Sequence, residues 1–485
     1  MLNENFSVFL DCSNTKNTEF NINELKNIIP ENNIFLTGKD SPNLEIGEYL
    51  GSDGVCCGKS LKKVLSLCKT KYLLLYLDDS EISFQANALE SFFQAAEEKN
   101  VGLLYSAYQI DNLEQPLIPY QIGSIRDNFN FGSLVVLNTQ ICKEVTTKYT
   151  QLVPDDYSAW YGLRLGISLE SSIHRIEEKL YSVTTNKIVN QEKEHFNYVT
   201  PANLDYQKTL ENVFTEYSKL AGFYLEEIQL LEDFDKINFA TEASIIIPVK
   251  NRVTTISDAV NSACTQKCNS NFNVIVVDNH SDDGTSELLN ELSGKYQNLI
   301  HVIPEKTDLG IGGCWNEAIF NDHCGRFAVQ LDSDDLYKDQ NTLQIILDCF
   351  YKNRCAAVVG SYQLVDEELN ELPPGLIAHK EWTDSNGHNN GLRINGFGAP
   401  RAFYTPIARK ISFPNVSYGE DYAMMLAITR KHRIARIFDS LYLCRRWKGN
   451  SDASLSIEKE NKYNTYKDTL RSIEINSRIA LENKH

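Results

Sequence analysis

The sequence predicts an α/β protein made of two tandem domains, each a mostly parallel, Rossmann-like sheet covered by helices. Three observations carry this. At 485 residues the chain is too long for one ordinary domain. Between Glu242 and Asp335 short β-branched strands alternate with helical patterns. The first half has the same grammar and can be laid over the second in several ungapped stretches.

Composition sets the limits. A hydrophobic content of 42% with 10% aromatics is that of a chain able to bury a sizeable core. The formal net charge of −18, with no basic run, excludes nucleic acid as a partner, because a phosphate backbone would be repelled. The N-terminus MLNENFSVFLDCS lacks a basic start and a long apolar stretch, and the apolar runs Tyr72 to Leu77 and Ile245 to Val249 are strand-sized. The expectation is a protein without a transmembrane segment, located in the cytoplasm. The twelve cysteines include no CxxC pair and read as buried free thiols.

In the second half, Ser244 to Val249 reads as a strand, Val253 to Thr265 as a helix and Asn273 to Val277 as a second strand. The turn Asp278 to Gly284 leads to a helix from Thr285, followed by a strand at Leu299 to Ile303. A glycine-broken helix start at Gly310 to Gly313 and a strand at Arg326 to Leu331 complete the set. Strands alternating with helices imply a parallel sheet, whose ligands bind at the carboxyl ends of the strands. Pro248, Asp278 and Asp332 therefore point toward one crevice.

The first half repeats this pattern. Gly58 to Asp78 overlays Gly312 to Asp332, and Phe131-Gly132 overlays Phe397-Gly398. Asp155-Asp156-Tyr157 falls on Glu420-Asp421-Tyr422, and Arg175 to Tyr181 on Arg436 to Tyr442. Four stretches in one order suggest an internal duplication; the alternative is two unrelated α/β domains with generic punctuation. A linker falls near Glu232 to Glu242. The polar stretch from Ser454 reads as a surface or packing helix. GVCCGKS at Gly54 to Ser60 looks like a P-loop but has three residues between its glycines where four are required, and no apolar strand feeds it.

The chemistry concentrates in Leu331-Asp332-Ser333-Asp334-Asp335, three carboxylates at the end of an apolar strand. Like charges repel, so such a cluster is kept where a cation binds, and hard oxygen ligands suit Mg²⁺ or Mn²⁺. SIIIPVKNR, VIVVDNHSDDGT, LGIGGCWNEA and VQLDSDD, in that order, resemble the nucleotide-binding half of the glycosyltransferase family 2 enzymes, which have the GT-A fold. The resemblance continues through Gly419-Glu420-Asp421 to Arg445-Arg446-Trp447. Two positions depart from the family pattern, which usually has an aromatic at Lys250 and an arginine at Trp315.

The resemblance implies a GT-A-like architecture for both halves: 1–235 degenerate and non-catalytic, 240–450 catalytic, and 451–485 a polar C-terminal helical segment. It implies an inverting glycosyltransferase that moves a sugar from a nucleotide-diphosphate donor, of the UDP-sugar kind, to a hydroxyl of a glycan, lipid-linked or protein acceptor in glycan or polysaccharide biosynthesis. Pro248 and Asn251 shape the first nucleotide-binding turn, Asp278 recognises the base, and Asp332 with Ser333 lies near the ribose or metal. Asp334 is the principal metal ligand, with Asp332 beside it. Asp421 is the general base and Glu420 holds the acceptor or orients a neighbour. Arg445, Arg446 and Trp447 face the departing diphosphate. In the first half Asp78-Asp79-Ser80 stands for Asp332-Ser333-Asp334, and the place of Asp278 falls near Thr37. The rival reading is a non-catalytic sugar-nucleotide or glycan binding protein.

Overall fold

The computed structural model describes residues 2–39, 46–184, 204–232, 234–447 and 455–482. Asp233, inside the expected linker, Ser454, the expected start of the last helix, and the ends 451–454 and 483–485 of the expected C-terminal segment lie outside the described residues.

In the first half β1 (Phe6–Asp11), β2 (Ile34–Thr37), β3 (Glu48–Tyr49), β4 (Tyr72–Tyr76), β5 (Glu81–Phe84), β6 (Leu103–Ile110), β7 (Leu113–Gln115), β8 (Leu134–Asn138) and β9 (Ile173–Thr184) form one sheet in the order β3-β2-β1-β4-β8-β6-β9-β5, with β7 on β6. The second half contains β10 (Ala243–Val249), β11 (Phe272–Asp278), β12 (Leu299–Val302), β13 (Phe327–Gln330), β14 (Leu336–Tyr337), β15 (Ala357–Val365), β16 (Glu371–Ile377), β17 (Arg401–Tyr404) and β18 (Ile434–Arg445). Their order, β12-β11-β10-β13-β17-β15-β18-β14 with β16 on β15, is the first order carried over strand for strand.

The two sheets are built alike. Four strands at one end run parallel, as their near-continuous apolar sequences require. Beyond them the sheets are mixed, because β8 and β17 enter antiparallel to both neighbours. Successive residues of β10 and β11 face opposite sides. Ile246, Ile275 and Val277 join a core continuous with that of the first half, and Ile245, Ile247, Val274 and Val276 a second core beneath.

The helices are α1 (Thr15–Leu25), α2 (Gly58–Leu67), α3 (Ala88–Lys99), α4 (Thr139–Lys148), α5 (Ala159–Glu170), α6 (Leu204–Leu220), α7 (Ile256–Cys264), α8 (Thr285–Lys295), α9 (Ile311–Ile319), α10 (Thr342–Asn353), α11 (Gly387–Asn390), α12 (Thr405–Ile411), α13 (Glu420–Thr429) and α14 (Ile457–Glu482). The P-loop-like stretch is the capping turn and start of α2.

Close packing fixes the register of the two halves. A Cβ on Gly58 would lie 1.7 Å from the Pro154 carbonyl oxygen and 3.0 Å from Ala159 Cβ; on Gly312 it would lie 1.9 Å from the Pro414 oxygen and 3.0 Å from Glu420 Cβ. Gly58 thus matches Gly312, and Ala159 matches Glu420. The overlay of Asp155-Asp156-Tyr157 on Glu420-Asp421-Tyr422 is corrected by four residues: Ala159-Trp160-Tyr161 holds those places. The buried Tyr161 and Tyr422 hydroxyls both donate to backbone carbonyls, of Ile125 and Gly391. A second slip of one residue precedes the central strand. Thr139 and Thr405, each opening a helix, donate their N–H to Lys71 and Arg326, which makes Tyr72 the partner of Phe327. Leu77 therefore occupies the place of Asp332, and Asp79 that of Asp334.

The last helix, α14, lies against both halves and turns its charges inward. Asp468, Arg471, Glu474 and Arg478 are almost fully buried. Burying charge is tolerated only where it is paired, and here Asp468 meets Arg126 and Arg471 while Glu474 meets Arg430 and Arg478.

Candidate active site

The crevice starts at the carboxyl end of β10. Parallel pairing sets Pro248 beside Val277 and Val249 beside Asp278. Asn251 follows with a left-handed φ of 54°, which asparagine tolerates better than most residues. Its Nδ2 donates to Asp282 Oδ1 at 2.8 Å, its Oδ1 accepts from the Asp282 N–H at 2.9 Å, and its own N–H donates to Ser281 Oγ. Asn251 thus ties the first turn to the second.

Asp278 is fully enclosed. Its carboxylate accepts from the Ser281 N–H at 3.0 Å, the Ser286 hydroxyl and His301 Nε2 at 3.4 Å. Burial pushes its pKa up, but the bonds from His301, Ser281 and Ser286 outweigh that and hold it well below the usual carboxylate range. Asp278 is therefore ionised and locks the 278–286 turn. Reaching a base would require one of these donors to let go.

The carboxylate run sits one strand away. Asp332 accepts from Gln330 Nε2 at 2.9 Å, and its backbone N–H donates to the Tyr442 hydroxyl. Ser333 is buried. Asp335 is buried and accepts from the Arg445 N–H. Burial lifts the pKa of Asp332, and burial with the charges of Asp332 and Asp334 lifts that of Asp335 further. Crowded oxygens of this kind are hard donors that a divalent cation would stabilise. Among the described residues no group of three His, Cys, Asp or Glu is arranged to hold a metal alone.

The Arg445-Arg446-Trp447 end divides into different roles. Arg445 is buried; its Nε donates to the Asp334 carbonyl and its Nη1 to Asp258 at 2.9 Å, so it clamps the carboxylate turn onto α7. This ties two nitrogens of its guanidinium into the wall of the crevice. Trp447 Nε1 donates to Asp334 Oδ2 at 3.4 Å. Arg252 lies 5.8 Å over the Trp447 ring with its Nε 3.9 Å from the same carboxylate. Arg446 is held in register by its N–H to the Val365 carbonyl.

Glu420 and Asp421 head α13 after Gly419, whose φ of 78° makes the sharp entry. Asp421 Oδ2 pairs with Arg401 Nη1 at 2.7 Å. Arg401 opens β17, two strands from β10, with its N–H on Gln330 Oε1 and its guanidinium on the Gly398 carbonyl. Burial raises the Asp421 pKa, but the Arg401 and Lys467 charges override it and hold it low. Glu420 is buried, and burial together with the Asp421 charge raises its pKa to about 8. At neutral pH, Asp421 is the charged member of the pair and Glu420 carries a proton.

Arg252, Arg401, Tyr442 and Lys467 were not singled out from the sequence. Each is an isolated residue whose value comes from tertiary approach.

Residues 244–408 match the family model of glycosyl transferase family 2. An uncharacterized glycosyltransferase of Rickettsia felis is 24% identical over 428 residues, covering 80% of this chain and 68% of its own. The poly(ribitol-phosphate) beta-glucosyltransferase of Bacillus spizizenii is 24% identical over 237 residues, 47% of this chain and 36% of its own length. The crystal structure of S. aureus TarS 1-349 in complex with UDP-GlcNAc is 21% identical, with a TM-score of 0.37, over 49% of this chain and 72% of that one. Among the described residues no helix is long and apolar enough to cross a membrane.

Proposed function

We propose, for a glycosyltransferase whose C-terminal half is a glycosyl transferase family 2 domain, that the enzyme transfers a sugar with inversion from a nucleotide-diphosphate donor, of the UDP-sugar kind, to a hydroxyl of a glycan acceptor. The observation that carries this reading is the divided pair on α13. Asp421 is kept ionised by Arg401, so it can accept a proton, while Glu420 keeps its own. A base within hydrogen-bond reach of an acceptor hydroxyl lets that oxygen attack the anomeric carbon as the diphosphate leaves. One base and one displacement give inversion.

The remaining residues take supporting parts. Pro248 and Asn251 shape the donor turn and Asp278 stiffens it from beneath. Asp334 and Asp332, with Ser333 between them, would hold a Mg²⁺ or Mn²⁺ ion, which would offset charge growing on the leaving diphosphate. Arg252 and Trp447 flank Asp334 on one side, and Arg446 would add a cation for the diphosphate. Arg445 fixes the turn that presents Asp334. The domain division that goes with this reading is 1–235 non-catalytic, 240–450 catalytic and 451–485 helical.

The test is direct. The purified chain is incubated with a panel of sugar nucleotides, with and without Mn²⁺, and released nucleoside diphosphate is measured. Product from a UDP-α-sugar should carry a β linkage by NMR coupling constant. A retained configuration would reject the mechanism.

A further inference from the structure

The C-terminal helix brings a charge into the catalytic pair. Lys467 of α14 donates from Nζ to the Asn395 carbonyl and lies 4.8 Å from the Tyr418 ring centroid and 5.5 Å from that of Tyr422, the residues flanking Gly419 to Asp421. Tyr418 is itself stacked on Tyr463 of the same helix, with centroids 3.8 Å apart and planes 8° from parallel. One turn on, Arg471 lies 5.0 Å over Tyr422 and donates to the Leu392 and Ile394 carbonyls. The segment that carries Glu420 and Asp421 is therefore sandwiched against α14 on its aromatic side.

The other side of α14 is fastened to the first half. Asp468, adjacent to Lys467 in sequence, accepts from Ser124 Oγ at 2.9 Å and from Arg126 Nε at 3.3 Å, as well as from Arg471 at 2.8 Å. Backbone approaches backbone here: a Cβ on Gly123 would fall 2.0 Å from the Asp468 carbonyl oxygen, and the Gly123 N–H donates to Ser472 Oγ. The same turn of α14 that meets the Tyr418 and Tyr422 rings is thus fastened to the first half.

We propose that Lys467 is a positioning residue for sugar transfer: α14 sets its ammonium over the Tyr418 and Tyr422 rings that flank Asp421, and the first half serves by anchoring that helix through Asp468. This inference rests on the reading of Asp421 as the base. The charged and titratable groups around Asp421 are Arg401 from β17, Glu420 on its own helix, Asp332 across Arg401, Tyr418, and Lys467, Arg471 and Tyr466 from α14. Among the described residues, the cations of this set are Arg401, Lys467 and Arg471. Burial lowers the Lys467 pKa to about 8 and the Asp421 charge opposes that fall, so the ammonium is largely retained at neutral pH.

The experiment uses the full chain and measures kcat, donor KM and the pH profile of kcat/KM for Lys467→Gln, Lys467→Met, Lys467→Arg and Asp421→Asn. Glutamine retains a donor for the Asn395 carbonyl without the charge, and methionine fills the space between the tyrosine rings. Either should move the acid limb of the profile upward by about one pH unit, since losing a nearby cation makes Asp421 easier to protonate. On the acid limb itself turnover should fall by up to roughly tenfold with donor KM nearly unchanged, while at pH 7, where Asp421 stays ionised in either case, it should change little. Lys467→Arg should restore the limb. If whichever charge-removing variant folds keeps the wild-type limb and turnover while Asp421→Asn is inactive, the inference falls alone. If Asp421→Asn turns over normally, the reading of the base falls and takes the inference with it.

Discussion

Replacing Asp421 by Asn changes one oxygen to an amide and leaves the shape of the side chain intact. Asp421 contributes a carboxylate paired with Arg401 at 2.7 Å. An amide oxygen can still accept from the guanidinium, so the local fold should persist, but it cannot take up a proton. Removing a general base costs about 10²- to 10⁴-fold in rate, equivalent to roughly 2.7–5.4 kcal/mol of transition-state stabilisation at 1.36 kcal/mol per decade. The control is Asp156→Asn. Asp156 Oδ1 accepts from the Ser158 N–H at 2.8 Å and the Ser158 hydroxyl at 2.5 Å, bonds that an amide oxygen also accepts, and the first half has Trp160 where the second has Asp421. Both variants are assayed for nucleoside diphosphate release at saturating donor, with donor affinity measured by calorimetry. Asp421→Asn should bind donor normally and turn over at background; Asp156→Asn should stay within about twofold of wild type. Turnover of Asp421→Asn within tenfold of wild type, or loss of one product linkage in Asp156→Asn, would refute the assignment of a single working site.

Three further outcomes are expected. Asp334→Ala should lose the Mn²⁺-dependent part of donor binding, read as thermal shift with UDP-sugar with and without metal, while the melting temperature of the free protein changes little because a like-charge neighbour has been removed; an unchanged metal effect excludes Asp334 as a ligand. Glu420 keeps a proton up to about pH 8 that the unfolded chain gives up near its ordinary value of 4.5, so the folded state binds more protons in that window and stability falls as pH rises through it, by at most about 1.4 kcal/mol per pH unit; Glu420→Gln should flatten the slope in urea titrations at pH 5 to 8, and an unaltered slope would contradict the raised value. Asp468→Asn leaves Arg126 and Arg471 facing a neutral partner in a buried site, and breaking such pairs costs about 3–5 kcal/mol; a loss below 1 kcal/mol in chemical denaturation would show that the anchor contributes little.

The parallel part of the second sheet was legible because its strands are apolar runs bounded by turn residues: SIIIPV and VIVVD cannot be amphipathic helices, and DNHSDDG can hardly be anything except a turn. The antiparallel entry of β17 was not, since a strand reads alike in either direction. The duplication was visible in four stretches, yet two were misplaced, by one and by four residues. Ungapped overlay cannot see that loops change length, whereas the approach of Gly58 and Gly312 to proline carbonyls cannot shift without collision. The pairing of Arg445 with Asp258 was hidden for a related reason: the two are far apart in sequence, and only the fold brings them together. α14 was read as a surface or packing helix, and it packs; its polar sequence did not reveal that Asp468, Arg471, Glu474 and Arg478 are among the residues it buries.

What the corrected register leaves in the first half decides whether that half could work as a transferase. The contacts that hold the sheet survive, namely the tight glycine at the start of α2, the buried tyrosine on α5 and the strand order. The charges do not. Ala159 and Trp160 stand for Glu420 and Asp421, and Leu77 stands for Asp332. Val135, paired with Tyr105 as Arg401 is with Val359, stands for the arginine. Only Asp79 retains a carboxylate, at the place of Asp334. Trp160 packs on Phe131 at 6.0 Å, filling with ring what the second half keeps polar. A Trp160→Asp change alone should therefore not create activity in an Asp421→Asn background. The new carboxylate would have no Arg401 to keep it ionised, no Asp332 to help hold a metal, and a cavity beside Phe131 that costs about 3–5 kcal/mol. Recovery of even a few per cent of wild-type turnover in that double variant would mean the first half still binds donor and that its losses are confined to the base.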